Sequence, residues 1–197
     1  PTSTTPDTNI LFKLSGQLGA GTHFDLSHNS VVASDVSLSH QPGTANNGYQ
    51  LSNSGYTIDT KTSSTRLNLR TAFGGRFTNE LLVGLTTVRD ARTLANRIPR
   101  IVVNGDRCAS LPALNLATCS TILAAGAERS SMANTLDQDI LEVTDNLTFP
   151  VGSHLFTLGT HNEFFKFNTL FLQSAFGTWW FANPDSLAAG TPYQYSA

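Results

Sequence analysis

The chain has 197 residues, of which 40% are hydrophobic and 13% are charged, and its formal net charge is −2. This length is sufficient for one domain with a sizeable core, and no run of about 18 apolar residues predicts a transmembrane helix. The charge balance disfavours nucleic-acid binding, because phosphate recognition requires a basic stripe and none is present.

The sequence starts at Pro1, without an initiating Met or a recognisable signal peptide. We therefore expect a processed mature form or a piece of a longer protein. The charged fraction is well below the roughly 25% of typical soluble domains, and Ser, Thr, Asn and Gly take its place. This mixture is typical of outer-membrane barrels with polar lumens, and also of secreted β proteins.

Period-two alternation of apolar and polar residues predicts antiparallel strands in the first half of the chain, separated by glycine-containing turns. The second strand has a weaker continuation through Leu38, and the third is expected to kink at Gly55. The predicted strands span 9–16, 22–29, 49–58, 65–73 and 77–90.

The longest alternating segment is Asp137 to Phe167, which reads as two strands joined by a turn at 150–152. Its first strand has an apolar side formed by Leu141, Val143, Leu147 and Phe149. The opposite side is polar and consists of Glu142, Thr144, Asn146 and Thr148. Such alternation predicts either a half-solvated soluble sheet or the wall of a membrane barrel.

The segment 91–135 breaks the pattern and is predicted to be a long loop containing at most a short helix. Within it, Cys108 and Cys119 bracket ASLPALNLAT. A loop of this size closes easily, so we predict a Cys108–Cys119 disulfide and an oxidising compartment, with two unpaired thiols as the alternative. The end of the chain, 182–197, is predicted to be another loop.

Short turns therefore alternate with long connections, as in outer-membrane barrels. Strands of roughly ten or more residues also suit tilted membrane-spanning strands better than ordinary globular sheets. We predict an all-β, antiparallel, up-and-down β-barrel or barrel fragment with about seven or eight strands. The whole of 1–197 is expected to form a single domain with one long loop at 91–135.

Three segments carry a family resemblance: TNELLVGLTTVRD (78–90), LEVTDNLTFPVGSHLFTLGTHNEFFKF (141–167) and FLQSAFGTWWFANPDSLAAGTPYQYS (171–196). Together they resemble the β-barrel region of TonB-dependent outer-membrane receptors, in the Oar-like branch with a carboxypeptidase-regulatory-like domain. The resemblance covers roughly 9–90 and 136–197. The matching elements are Asp145 to Thr148, Gly152, His154, Gly159, Phe176 to Phe181 and Ala189 to Pro192.

The resemblance implies that the parent protein resides in the bacterial outer membrane and takes up a bulky nutrient, such as a siderophore, glycan or peptide. Members of this family have a TonB box, a plug domain and a barrel of 22 strands. This chain has no recognisable plug, about a third of those strands and no aromatic ending. The plug domain and TonB are thus expected outside it, with lipid or detergent and the nutrient as partners and no cofactor.

Eight polar residues are candidates for ligand binding, because they occupy the sides of strands that would face a lumen. The alternative is that they form charge pairs between strands, which would only stabilise the wall. They are His23, Asp25, Arg66, Arg70, Glu80, Glu142, His161 and Glu163. His161 and Glu163 could supply half of a metal site, but no third ligand is identifiable, so no metal site is predicted.

A small β-barrel hydrolase, esterase-like, is the second hypothesis. The sequence has no G-x-S-x-G, S-x-x-K, H-E-x-x-H, Walker A loop or dinucleotide-binding glycine motif. Ser and His are adjacent at Ser27-His28, Ser39-His40 and Ser153-His154. Adjacent strand residues point to opposite faces, so only a Ser-His-acid triad assembled across strands is left open. The sequence thus favours a non-enzymatic role and identifies no catalytic residue.

A third hypothesis is a non-catalytic domain that oligomerises through open strand edges. The aromatic residues near the C-terminus also allow three interpretations: a membrane-interface girdle, a hydrophobic core or a binding surface. These residues are Phe164, Phe165, Phe167, Phe171, Phe176, Trp179, Trp180 and Phe181.

Overall fold

The computed structural model describes residues 5–37, 48–105 and 121–197. In these ranges the chain forms 11 strands and one short helix, which confirms the prediction of a largely antiparallel all-β fold. Six strands are long: β1 (Asp7–Gln17), β2 (Thr22–Ser37), β4 (Tyr56–Phe73), β5 (Phe77–Leu94), β8 (Ala133–Val151) and β9 (His154–Leu172). The others are β3 (Tyr49–Gln50), β6 (Arg100–Asn104), β7 (Thr121–Ala125), β10 (Thr178–Phe181) and β11 (Gln194–Ser196), with a 3-10 turn at Ser52–Ser54 and helix α1 at Pro184–Ala188.

The six long strands form one sheet, the long sheet, in the order β1-β2-β4-β5-β8-β9, and every neighbouring pair is antiparallel. Three hairpins turn at the same end of this sheet. The turns between β4 and β5 and between β8 and β9 contain Gly74, Gly75 and Gly152, whose φ angles of 53°, 72° and 61° favour glycine. All longer connections leave from the opposite end, so the predicted asymmetry of short turns and long connections is present.

The long sheet does not close into a barrel within the described residues, because β1 and β9 remain as edges. The prediction allowed either a closed barrel or a barrel fragment, and the described residues do not form the closed barrel. An eight-stranded barrel has an interior just wide enough for side chains to fill, so a closed wall of six strands would leave less room than that.

The five short strands form a second sheet, the small sheet, in the order β11-β10-β6-β7-β3. It is mixed, since β10 pairs in parallel with β6 and β3 pairs in parallel with β7. Three predictions are thereby corrected: the described residues form 11 strands rather than seven or eight, 91–135 is not one loop where it is described, and 182–197 contains helix α1 and strand β11. Strands of two to five residues are too short to show an alternating pattern.

The hydrophobic core belongs to the small sheet and its connections. Its buried apolar residues are Val102, Val103, Ala124, Ala127, Met132 and Phe181. Within the six long strands, by contrast, Gly84 is the one buried residue, and all of β9 is exposed. The described residues therefore leave both faces of the long sheet uncovered, an arrangement that apolar burial among them does not stabilise.

Candidate functional site

The register of the long sheet assigns every residue to one of two faces, because residues paired across antiparallel strands project to the same side. Leu14, Leu26, Leu67, Val83 and Val143 are paired in succession across five strands. We call the side that carries them the apolar face. The opposite side, one residue away on each strand, is the polar face.

The apolar face is most apolar in its half nearest the turns. On β5 this region extends from Phe77 to Leu85, a distance of about 27 Å at 3.4 Å per residue. A row of phenylalanines borders it at the turn end, where the ring centroids of Phe77 and Phe149, and of Phe149 and Phe156, are 6.1 Å apart. We call this region the apolar band.

The band contains a few hydrogen-bonded polar pairs, and beyond it on the same face lies a charged cluster. Within the band, Asn79 Nδ2 donates a hydrogen bond of 2.8 Å to Asp145 Oδ1, so neither group lacks a partner. At the end away from the turns, Arg89 binds Asp139 and lies 3.7 Å from Asp137. Sequence analysis did not single out this cluster, although Arg89 follows Val83 and Leu85 on the same side of β5.

On the polar face, all eight predicted ligand-binding residues lie in three successive rows that cross the six strands. Row 1, nearest the turns, is Gln17, His23, Arg70, Glu80, Asn146 and Gly159. Row 2 is Ser15, Asp25, Asn68, Leu82, Thr144 and His161. Row 3 is Lys13, Ser27, Arg66, Gly84, Glu142 and Glu163. Ligand binding by these residues stays a prediction.

On the β1 side of the polar face, most charges neutralise one another. Asp25 accepts a hydrogen bond from Ser15 Oγ and lies 3.6 Å from Lys13 Nζ and 3.4 Å from His23 Nε2. Glu80 Oε1 lies 3.0 Å from Arg70 Nε and also accepts a 3.0 Å hydrogen bond from Asn68. These contacts agree with the alternative interpretation, in which charges pair between strands.

On the β9 side, His161 is surrounded by acceptors. Its Nδ1 lies 2.7 Å from Thr144 Oγ1 and 3.8 Å from Glu142 Oε1, and its Nε2 lies 3.3 Å from Glu163 Oε1. Glu142 and Glu163 are paired directly across β8 and β9. The two imidazole nitrogens approach different carboxylates, so these three side chains do not converge on one point.

Arg66 differs from the other charged residues of the polar face. It is exposed, and within the described ranges it takes part in no ion pair. Its neighbour in row 3 is Gly84, which separates it from Glu142. Arg66 was predicted from the sequence as a ligand-binding residue, but Gly84 was not, because its position between Arg66 and Glu142 depends on the register.

The polar side chains form neither a metal site nor a catalytic triad among the described residues. Among the described residues, no group of three His, Cys, Asp or Glu side chains has a geometry that could hold a metal ion. Ser15, Asp25 and His23 are in contact, but the carboxylate lies between the hydroxyl and the imidazole. A catalytic triad requires the imidazole in the middle, where it can accept the serine proton.

The adjacent Ser-His pairs do not form a site where they are described. Ser27 lies on the polar face and His28 on the apolar face, where His28 Nδ1 is 2.8 Å from Thr65 Oγ1. Ser153 and His154 lie at the turn between β8 and β9. The pair Ser39-His40 and the predicted Cys108–Cys119 disulfide lie outside the described residues.

The aromatic cluster is divided between the two sheets. Phe164, Phe165, Phe167 and Phe171 are exposed on β9, and the rings of Phe165 and Phe167 are stacked at 5.7 Å. Phe181 is buried in the small sheet, whereas Trp179 is partly exposed and lies 4.5 Å from the ring of Tyr195. No single interpretation of the cluster therefore applies to all its members.

In the part of the chain that is described, no helix is long and apolar enough to span a membrane. A scan against protein-family models finds no match, and searches of curated proteins and of solved structures find no significant similarity either. The function of the polar face must therefore be argued from its own geometry.

Proposed function

We propose that this chain is a six-stranded section of an outer-membrane β-barrel, with the apolar band against lipid and the polar face towards the lumen. The observation that carries the proposal is that the apolar band and the polar rows lie back to back on the two sides of the same sheet. Rows 1 to 3 lie on the same strand segments as the apolar band, so one side is apolar where the other is polar. Lipid on one side and water on the other is the environment that favours such a wall.

The exposure of large apolar side chains supports this assignment. Leu14, Phe77, Leu85, Phe156 and Leu158 belong to the apolar band and are 48%, 46%, 48%, 49% and 71% exposed. Burying a side chain of this size is worth about 1.5–3 kcal/mol relative to water. Hydrocarbon would cover these side chains without requiring a second protein layer.

Unpartnered polar atoms on the other side point to water or a polar partner. Among described residues, Asn29 Oδ1, Asn68 Oδ1 and Asp90 Oδ1 are buried atoms without a hydrogen-bond partner, and all three side chains belong to the polar face. Buried polar atoms are normally satisfied. A lumen would supply their partners as water or as the surface of a plug.

The open edges favour a wall that continues beyond this chain. Strands β1 and β9 leave backbone groups unpaired along 11 and 19 residues. In lipid such groups must be paired, so further strands would have to join both edges. A larger barrel provides this pairing and also gives the polar face a lumen of sufficient width.

By resemblance, the parent barrel is a TonB-dependent receptor for a bulky nutrient such as a siderophore, glycan or peptide. The small sheet is built from connections at the end of the long sheet opposite the tight turns. That end corresponds to the outer side of the membrane, since outer-membrane barrels have short periplasmic turns and long external connections. The small sheet would thus lie where the nutrient arrives, while the plug domain and TonB lie outside this chain.

Lipid contact of alternate residues tests the proposal. In a chain whose two cysteines are replaced by serine, single cysteines at Leu81, Val83, Glu80 and Thr86 would carry a fluorescent label. After reconstitution into phospholipid vesicles, brominated lipid should quench the label at 81 and 83 and leave 80 and 86 unquenched. Equal water accessibility of all four positions, in a chain that is monodisperse in plain buffer, would overturn the membrane assignment.

A second candidate function is self-association through the edge strands, which the unpaired β1 and β9 favour. Pairing between copies would satisfy the same backbone groups that a larger barrel satisfies. Light scattering over a range of concentrations would show a dimer that dissociates on dilution. A strict monomer at all concentrations would exclude this function.

A further inference from the structure

Row 3 separates positive from negative charge across the polar face. Lys13 and Arg66 lie on the β1 side of Gly84, and Glu142 and Glu163 lie on the β9 side. Rows 1 and 2 do not show this separation, because Arg70 is paired with Glu80 and Asp25 contacts Lys13 and His23. Row 3 therefore has Arg66 on one side of Gly84 and two carboxylates on the other, whereas the charge of Lys13 is offset by Asp25.

Gly84 keeps the centre of row 3 free of a side chain. A Cβ atom at this position would lie 3.5 Å from Glu142 Oε2 and 3.8 Å from Arg66 Cγ. The two charged side chains thus approach Gly84 from both sides, yet they form no ion pair in the described structure. Among the described residues, Arg66 thus has no acidic partner, and Glu142 has only the imidazole of His161 at ion-pair distance.

Among the described residues, neither carboxylate of row 3 forms an ion pair with a lysine or an arginine. Glu142 and Glu163 are directly opposite each other, a like-charged pair that destabilises a sheet. The nearest basic group is His161, at 3.8 Å from Glu142 and 3.3 Å from Glu163, and it is charged only when protonated. A ligand ammonium between the two carboxylates would remove this repulsion.

We propose that row 3 binds a short peptide with free termini, its carboxylate on Arg66 and its ammonium between Glu142 and Glu163. The guanidinium of Arg66 can donate two parallel hydrogen bonds to the two oxygens of a carboxylate. A C-terminal amide has only one oxygen and no negative charge, so it cannot accept both. The inference rests on the proposed function, which it narrows from a bulky nutrient in general to peptides.

The spacing of the strands sets the length of the peptide. Arg66 is two strands from Glu142 and three from Glu163, or about 10–14 Å at 4.8 Å per strand. An extended peptide spans about 3.3–3.6 Å per residue. Three or four residues therefore suit the distance between the two charged ends of the row.

Calorimetry on the full chain in detergent micelles tests the proposal with trialanine and tetraalanine. Capping either end, by N-acetylation or C-amidation, should weaken binding about tenfold, since each cap removes one charge-assisted contact. Arg66→Gln should abolish the effect of amidation and keep that of acetylation. The double variant Glu142→Gln, Glu163→Gln should abolish the effect of acetylation on the affinity and keep that of amidation.

Controls come from the other face of the same strand, where Lys61→Gln and Asp59→Asn should leave the affinities of the free and the capped peptides unchanged. Equal binding of capped and free peptides, or no binding by a chain whose label at position 83 contacts lipid, would overturn the peptide site. Binding that requires both free termini, in a chain without lipid contact at 83, would support the peptide site and overturn the membrane assignment. The two proposals thus fail separately.

Discussion

A charge placed on one side of β5 should have a very different effect from the same charge placed on the other. Val83 lies in the apolar band, two residues from its midpoint at Leu81, and is paired with Leu67 and Val143. Its neighbour Leu82 lies in row 2 of the polar face, between Asn68 and Thr144. Val83→Arg and Leu82→Arg therefore introduce one cation at adjacent positions of the same strand.

The expected magnitudes follow from the two environments. An arginine on the lipid side near the bilayer midplane costs about 2–4 kcal/mol, or roughly 30- to 700-fold in the folding equilibrium. On the polar face the same arginine can remain hydrated, so we expect Leu82→Arg to cost no more than about 1 kcal/mol. The difference between the two variants should thus exceed about 1 kcal/mol.

The assay is urea titration of the chain in phospholipid vesicles, followed by circular dichroism of the strands. Tryptophan fluorescence is unsuitable here, because Trp179 and Trp180 both lie in β10 of the small sheet. Equal destabilisation by the two variants, or a milder effect of Val83→Arg, would refute the assignment of the apolar face to lipid. A water-exposed sheet would give that result, because both side chains are half-buried.

Three further predictions concern single positions. Gly126 has a φ of +83°, and an added Cβ would overlap a neighbouring backbone carbonyl, so G126A should destabilise the small sheet by about 3 kcal/mol or more in tryptophan fluorescence. The control G190A, at a φ of +65° but with open space around it, should cost only about 1–2 kcal/mol. A Cβ at Gly159 would meet the Asn146 side chain, so G159A should lower the free energy of unfolding by about 1–3 kcal/mol, followed by circular dichroism. Adding N146A should recover most of this stability, and no recovery would contradict the steric explanation. Burial raises the pKa of Tyr193 above its ordinary 10.0, so the stability it contributes is present below pH 10 and is lost as the pH rises through the raised value. Y193F should remove this alkaline loss of stability, measured by tryptophan fluorescence as the pH is raised. An unchanged pH profile would show that Tyr193 does not cause the loss.

Local patterning was sufficient to predict the long hairpins and their two faces. The alternation of Leu141 and Val143 with Glu142 and Thr144 placed these residues correctly, because side chains on a strand alternate whatever its neighbours are. The same rule brought the eight candidate residues to one face. It could not place them in three rows, since the rows depend on the pairing register between strands.

The small sheet could not be predicted from local patterning. Its parallel pairs join segments far apart in sequence, such as 100–104 with 178–181, and no local pattern records such a pairing. The segment near Val102 was predicted to be loop because its strand is too short to alternate visibly. The buried core that these residues form is therefore a property of tertiary structure.

By itself the sequence determined that this protein is an antiparallel β protein with one apolar and one polar side to its long strands. Only the tertiary structure decided that the described strands leave the long sheet open with its two faces uncovered, and that Arg66 and Glu142 lie on either side of Gly84. The physical reason is that side-chain alternation is encoded residue by residue. Closure, register and charge separation instead depend on which strands lie next to one another.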